Sequence, residues 1–243
     1  TADGTVVWDH VLGDPKDADD PTEIEGSPAV VDGLVVVPTD VHNDKSHRSG
    51  VVALDLADGT ERWTWDPEAG KPIGGCGSVW GTPSVDEEAG LVVVGTGSCF
   101  RQASWTAYSE AIVGLDLASG EPRWSFQPRS EVGNQDWDFA GAANLFTIGS
   151  RPVAGLGNKD GSYYVVDRTT GDLVWQAEAV RQTADPDGFA FGGFIGATAV
   201  AEDASGTPMV SGGTAVGDCP CQHGFDAATG DALWSGEHRT RRG

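Results

Sequence analysis

An all-β chain, built as a β-propeller of four-stranded antiparallel blades, is predicted by three features of these 243 residues. The pattern Asp, three residues, Gly, three residues, Trp occurs four times, as Asp55–Gly59–Trp63, Asp116–Gly120–Trp124, Asp167–Gly171–Trp175 and Asp226–Gly230–Trp234. A fifth copy without its aspartate stands at Gly4–Trp8, and the tryptophans fall 55, 61, 51 and 59 residues apart. That period suits one blade or solenoid unit per repeat. The 35 glycines fit a chain made of turns and short strands.

Within one copy, the apolar run Val51-Val52-Ala53-Leu54 reads as a buried strand. The Asp and Gly that follow are turn formers: the carboxylate bonds backbone amides and the glycine tolerates positive φ. Thr60 to Trp63 then returns as a second strand ending on an indole expected to pack between neighbouring blades. In the next interval four strands are predicted, Gly81 to Asp86, Leu91 to Thr96, Ala111 to Asp116 and Pro122 to Phe126. Radial repetition of such sheets solves the edge-strand problem. A solenoid competes, but its period is shorter and it lacks these hairpin turns.

No linker or low-complexity tract divides the chain, so residues 1–243 are expected to form one domain. No apolar stretch approaches the roughly 20 residues that span a bilayer. There is no signal peptide, and the chain opens inside a repeat, which predicts that the native polypeptide continues beyond it. A net charge of −22 argues against nucleic acid as a partner and describes a solvated acidic surface.

Cys76 and Cys99 flank the turn Asp86-Glu87-Glu88-Ala89-Gly90 symmetrically, so they should face one another on paired strands within disulfide reach. One disulfide predicts an oxidising compartment, periplasmic or secreted. Cys219 and Cys221 admit a bridge, a metal or two separate thiols. The five histidines show no metal-ligand spacing, and no phosphate loop, nucleophile elbow or zinc motif is present.

Three segments are richer in specific residues than a scaffold needs: Gly75 to Pro83 with Gly95 to Cys99, Asn134 to Gly141, and Gly157 to Tyr164. Here the chain resembles the quinoprotein alcohol dehydrogenases, propellers that bind pyrroloquinoline quinone. The resemblance rests on Trp137-Asp138-Phe139-Ala140-Gly141 and on Asn158-Lys159-Asp160-Gly161 before Tyr163-Tyr164-Val165-Val166-Asp167-Arg168. Cys76 to Trp80 and Asn144 to Thr147 are similar to elements of polyvinyl-alcohol-dehydrogenase-like members. The family propeller has eight blades, so the resemblance implies that about four are present, with further blades or self-association covering the flanks.

The resemblance implies that Trp80 is the floor under the quinone and that Ser78 is a hydroxyl beside it. It makes Asp138 the general base and a metal ligand, Lys159 the cation beside the quinone oxygens, and Ser98 a neutral oxygen ligand where the family carries asparagine. Ca²⁺ is the implied metal, since Ala140 stands where lanthanide-using members carry a second aspartate. The family's glutamate ligand has no clear counterpart; Asp44, within His42 to Ser46, is the nearest substitute. The vicinal cysteine pair that caps the quinone in some members is not recognisable.

The implied activity is quinone-dependent oxidation of an alcohol, polymeric or secondary, with electrons passing to a cytochrome or another acceptor. Each residue also has an ordinary reading. Trp80 can be one more packing tryptophan, Asp138 a turn former and Lys159 a solvated turn residue. The competing function is a non-catalytic propeller, like the barrel-assembly lipoprotein. Convergence of Trp80, Asp138 and Lys159 favours the enzyme; Lys159 aimed into bulk solvent favours the scaffold.

Overall fold

The computed structural model describes residues 3–13, 22–40, 49–69, 71, 76–99, 102–131, 136–181, 192–202, 204–216 and 219–237, without the side chains of 216, 219–221 and 237. Each repeat is a four-stranded antiparallel meander. The first sheet is β1 (Ala29–Val31), β2 (Leu34–Thr39), β3 (Gly50–Asp55) and β4 (Glu61–Trp65). The second is β5 (Ser84–Asp86), β6 (Leu91–Gly95), β7 (Ile112–Asp116) and β8 (Pro122–Phe126). The third is β9 (Asn144–Ile148), β10 (Arg151–Gly157), β11 (Ser162–Asp167) and β12 (Leu173–Glu178). The fourth is β13 (Ala199–Glu202), β14 (Pro208–Val216), β15 (Cys219–Asp226) and β16 (Ala232–Glu237). First strands of successive sheets adjoin, β1 with β5, β5 with β9 and β9 with β13, which sets the sheets side by side as blades.

The four strands expected between Gly81 and Phe126 are all present, but the first begins at Ser84 instead of Gly81. The reason is local. Pro83 has no amide hydrogen to donate, and Gly81 lies so close to the next blade that a Cβ there would stand 2.8 Å from the Ala140 carbonyl oxygen.

The repeat motif works as a latch between blades. Within its own turn, Asp55 Oδ1 accepts the Ala57 amide at 2.8 Å and the Gly59 amide returns to the Asp55 carbonyl at 2.8 Å. Gly59, Gly120, Gly171 and Gly230 all take φ between +73° and +79°. Each glycine also receives the indole of the preceding repeat: Trp8 on Gly59, Trp63 on Gly120, Trp124 on Gly171 and Trp175 on Gly230. The indole N–H donates to a carbonyl of that same turn, to Leu56 at 2.9 Å, Leu117 at 2.9 Å, Arg168 at 2.8 Å and Ala227 at 3.1 Å. A side chain on the glycine would therefore meet both a backbone penalty and an aromatic face.

The hydrophobic core lies between blades. One cluster joins Val36, Val51 and Trp63 of the first sheet to Val92, Val94 and Val113 of the second. A second joins Val93 and Trp124 to Leu156 and Tyr164, and a third joins Val153 and Trp175 to Val210 and Phe225. Cys76 and Cys99 form the expected antiparallel bridge and are disulfide-bonded, with Cα atoms 4.3 Å apart. Cys219 and Cys221 lie on β15 with side chains outside the described set. No helix among the described residues is long and apolar enough to cross a membrane.

Candidate functional site

Three connections meet at one end of the second and third blades. The end of β6 runs into Gly97 and Ser98, an extended segment carries Asp136, Trp137 and Asp138 toward β9, and a tight turn carries Asn158 to Gly161 between β10 and β11. Backbone bonds tie the segments together. The Lys159 amide donates to the Asp138 carbonyl at 3.0 Å, and the Phe139 amide donates to the Thr96 carbonyl at 3.2 Å. The Asn158 side chain closes its own turn through the Asp160 amide and donates to the Trp137 carbonyl at 3.0 Å.

The predicted residues converge. Lys159 Nζ lies 2.6 Å from Asp138 Oδ2 and 4.8 Å from the centre of the Trp80 indole, as a cation over an aromatic face. Its side chain is only 12% exposed, so it does not point into bulk solvent. Asp138 Oδ1 accepts the Ser98 amide at 2.6 Å. Ser78 faces Gly97: its carbonyl accepts the Gly97 amide at 2.7 Å, and a Cβ on Gly97 would stand 2.5 Å from Ser78 Oγ and 3.4 Å from Asp138 Oδ1. The cradle is open because residue 97 has no side chain. Asp44 and the stretch 42–46 lie outside the described residues.

Asp136 is a site residue that the motif reading passed over. Both its oxygens accept Lys159 Nζ, at 3.1 and 3.0 Å, and its Oδ1 faces Ser98 Oγ at 3.4 Å. A signal was present, because residues two apart in an extended segment point the same way, so Asp-Trp-Asp presents paired carboxylates. Burial first, then the neighbouring Asp138 charge, push Asp136 up to about 6 against the pull of Lys159. Burial also works against the Lys159 charge, but the two carboxylates outweigh it and raise the lysine above its ordinary value. The cluster thus holds two acids and one base in mutual contact, an arrangement able to hold a proton and to present positive charge above an indole.

One hollow borders this region and another lies at the turns of the first two blades. A cavity of about 380 Å³ is lined by Trp80, Gly81, Ala140, Gly141 and Ile195, so Trp80 stands between it and the lysine; Lys159 and Asp138 do not line it. A groove of about 650 Å³ lies at the turns of the first two blades, where Arg62 pairs with Asp55 and Arg123 with Asp116. Its two arginines are taken up by these repeat aspartates at the surface, and the converging cluster is the better candidate. No group of three or more His, Cys, Asp or Glu side chains able to hold a metal is found among the described residues.

Residues 2–187 match the family described as "Glucose/ethanol/alcohol dehydrogenase, beta-propeller domain". The chain is 30% identical over 176 residues to the glycerol dehydrogenase large subunit of Gluconobacter thailandicus, covering 62% of this chain and 24% of that protein. It is 25% identical over 216 residues to a polyvinylalcohol dehydrogenase of Pseudomonas sp, covering 71% and 32%. Among solved structures, a europium-containing methanol dehydrogenase superposes with a TM-score of 0.67 at 17% identity, covering 89% of this chain and 54% of that one. The quinohemoprotein alcohol dehydrogenase from Comamonas testosteroni superposes at 0.65 and 18%, covering 88% and 46%. These structures share the propeller fold. The chain spans about a quarter to a third of the length of these two curated relatives and about half of the two solved chains.

Proposed function

The chain belongs to the β-propeller family of the glucose, ethanol and alcohol dehydrogenases, and from that premise we propose that it serves the oxidation of an alcohol with pyrroloquinoline quinone held over Trp80. The observation that carries this reading is the contact of Lys159 with both Trp80 and Asp138, three residues that stand 58 and 21 positions apart in sequence. A packing role for Trp80 alone would not require a buried ammonium above it.

The quinone, when bound, supplies the acceptor for the two electrons that leave the alcohol as hydride. Trp80 offers the flat apolar face on which a planar ring rests, and Ser78 borders the cradle opened by Gly97. Lys159 lies over that face, 4.8 Å from its centre, and a bound ring would displace the ammonium to its edge, where negative charge on a quinone oxygen is stabilised. Asp138, held by the Ser98 amide and by Lys159, is the carboxylate placed to take the alcohol proton. Asp136 shares the lysine, so two carboxylates face one ammonium and the cluster carries an excess of negative charge that a bound cation would offset. Asp138 and Ser98, joined by Asp136, are the oxygen donors that a Ca²⁺ would find here, with Lys159 yielding its place on the carboxylates; the ion would supply Lewis-acid polarisation and take its remaining ligands from elsewhere.

Electron transfer onward to a cytochrome-type acceptor fits the resemblance to quinohemoprotein relatives, and the chain itself has no Cys-x-x-Cys-His haem motif. A periplasmic or secreted setting is supported by the Cys76–Cys99 disulfide. The test is dye reduction by purified protein with added quinone and Ca²⁺ against primary, secondary and polymeric alcohols. Quinone-dependent turnover that falls at least 100-fold in Asp138→Asn and in Lys159→Met is expected. Wild-type protein that neither binds the quinone nor reduces the dye would leave only the non-catalytic propeller.

A further inference from the structure

Arg129 follows β8 in the connection that leaves the second blade, and nothing in its sequence context marks it. One guanidinium makes four contacts. Nε donates to Glu110 Oε2 at 2.9 Å, Nη1 to Asp160 Oδ2 at 2.9 Å and Nη2 to the Trp137 carbonyl at 3.4 Å. Its carbon lies 4.3 Å from the centre of the Trp137 indole. The side chain is 18% exposed, and its partners Glu110 and Asp160 are 0% and 12% exposed.

Each partner neighbours a residue of the site. Trp137 stands between Asp136 and Asp138. Asp160 follows Lys159, and its Oδ2 also accepts the Tyr164 hydroxyl at 2.7 Å while Oδ1 accepts the Ser162 amide at 2.8 Å. Glu110 donates its backbone amide to the Gly97 carbonyl at 3.0 Å, one residue before Ser98. The Glu110 backbone sits at φ +49°, an uncommon conformation for a residue with a side chain, held where the ion pair forms. A planar fork donates through separate nitrogens to two carboxylates and a carbonyl on three different segments while its flat face stacks on an indole, a fixed directional geometry that a lysine point charge does not reproduce.

We infer that Arg129 is the positioning residue of this site: it touches neither the quinone face of Trp80 nor the carboxylate pair, yet it fixes the three segments that bring Ser98, Asp136 with Asp138, and Lys159 together. The inference rests on the functional reading above only for what the site is used for; the clamping itself is a statement about this chain. Its consequence is that Lys159 stays locked on the two carboxylates, with its ammonium over Trp80, only while Arg129 is in place.

The test is competitive acylation of lysines with an amine-reactive ester, read by peptide mapping in wild type, Arg129→Gln and Arg129→Lys. Expected is a rise of at least tenfold in Lys159 labelling relative to Lys71 in Arg129→Gln, and a smaller selective rise in Arg129→Lys. General loosening would raise both lysines together, so an unchanged Lys159 to Lys71 ratio overturns the inference. If Arg129→Gln does not accumulate as folded protein, Arg129→Lys alone gives the reading, and an unchanged ratio there is equally fatal. In parallel, titration with pyrroloquinoline quinone plus Ca²⁺ should give at least tenfold weaker binding per folded molecule in both variants. Wild-type affinity in the variants counts against the clamp. Absence of binding in wild type refutes the proposed function and leaves the labelling result standing as the test of Arg129.

Discussion

Gly171→Ala should destabilise the chain much more than Gly149→Ala, although both glycines have left-handed backbones, φ +78° and φ +62°. An alanine forced into that conformation costs about 1–2 kcal/mol at either site. Nothing lies within 4 Å of a Cβ built on Gly149, so the backbone term is the whole cost there. A Cβ on Gly171 stands 3.0 Å from Trp124 Cβ and 3.0 Å from its Cε3, so the indole must retreat. Retreat puts at risk the 2.8 Å bond from Trp124 Nε1 to the Arg168 carbonyl, about 1 kcal/mol, and repacks the interface between the second and third blades for about 1–3 kcal/mol. The difference between the two variants is therefore about 2–4 kcal/mol. Urea unfolding followed by tryptophan fluorescence and by far-ultraviolet circular dichroism measures it directly. Equal destabilisation within about 0.5 kcal/mol would refute the latch, because the indole would then add nothing to the backbone cost.

Three further outcomes are expected. Burial pushes Glu110 from its ordinary 4.5 up to about 7 despite Arg129, so the folded chain holds a proton that the unfolded chain releases. The Glu110 contribution to stability is then full below pH 4.5 and is lost as pH rises to about 7, by up to about 3 kcal/mol, so the pH slope over that window should differ between wild type and Glu110→Gln; an unaltered slope in that variant would sink the assignment. The Cys76–Cys99 bridge closes a loop with a sequence separation of 23, so Cys76→Ser with Cys99→Ser should lose about 3 kcal/mol, measured by thermal unfolding with and without reductant. Leu233 and Trp234 are 44% and 41% exposed on β16, so the 243-residue chain alone should self-associate in light scattering, and Trp234→Ser should lessen this; a monodisperse wild-type monomer would contradict it.

The fold was legible because its repeat is written in residues with one dominant physical use. A glycine after an aspartate turn needs positive φ, and a tryptophan at fixed spacing needs a broad surface to cover. Strand positions followed from apolar runs such as Leu91 to Val94, all buried. The start of β5 was not legible, because it depends on how closely Gly81 approaches a blade that lies far along the chain. At the site, Trp80, Asp138 and Lys159 were found through their motif strings, and Asp136 was within reach of the same strand-period argument. Arg129 and Glu110 were not: their partners lie 8 to 31 residues and 13 to 19 residues away, and only the tertiary fold brings them together.

The indole-to-turn bonds all run in one direction, from each unit to the one that follows it in the chain. Damage to a tryptophan should consequently weaken its successor more than its owner: a Trp63 lesion would first loosen the turn around Leu117. Stability then becomes a sum of couplings between adjacent units. Melting should enter at a flank and travel along the array, and hydrogen exchange at the four equivalent turns would show its heading.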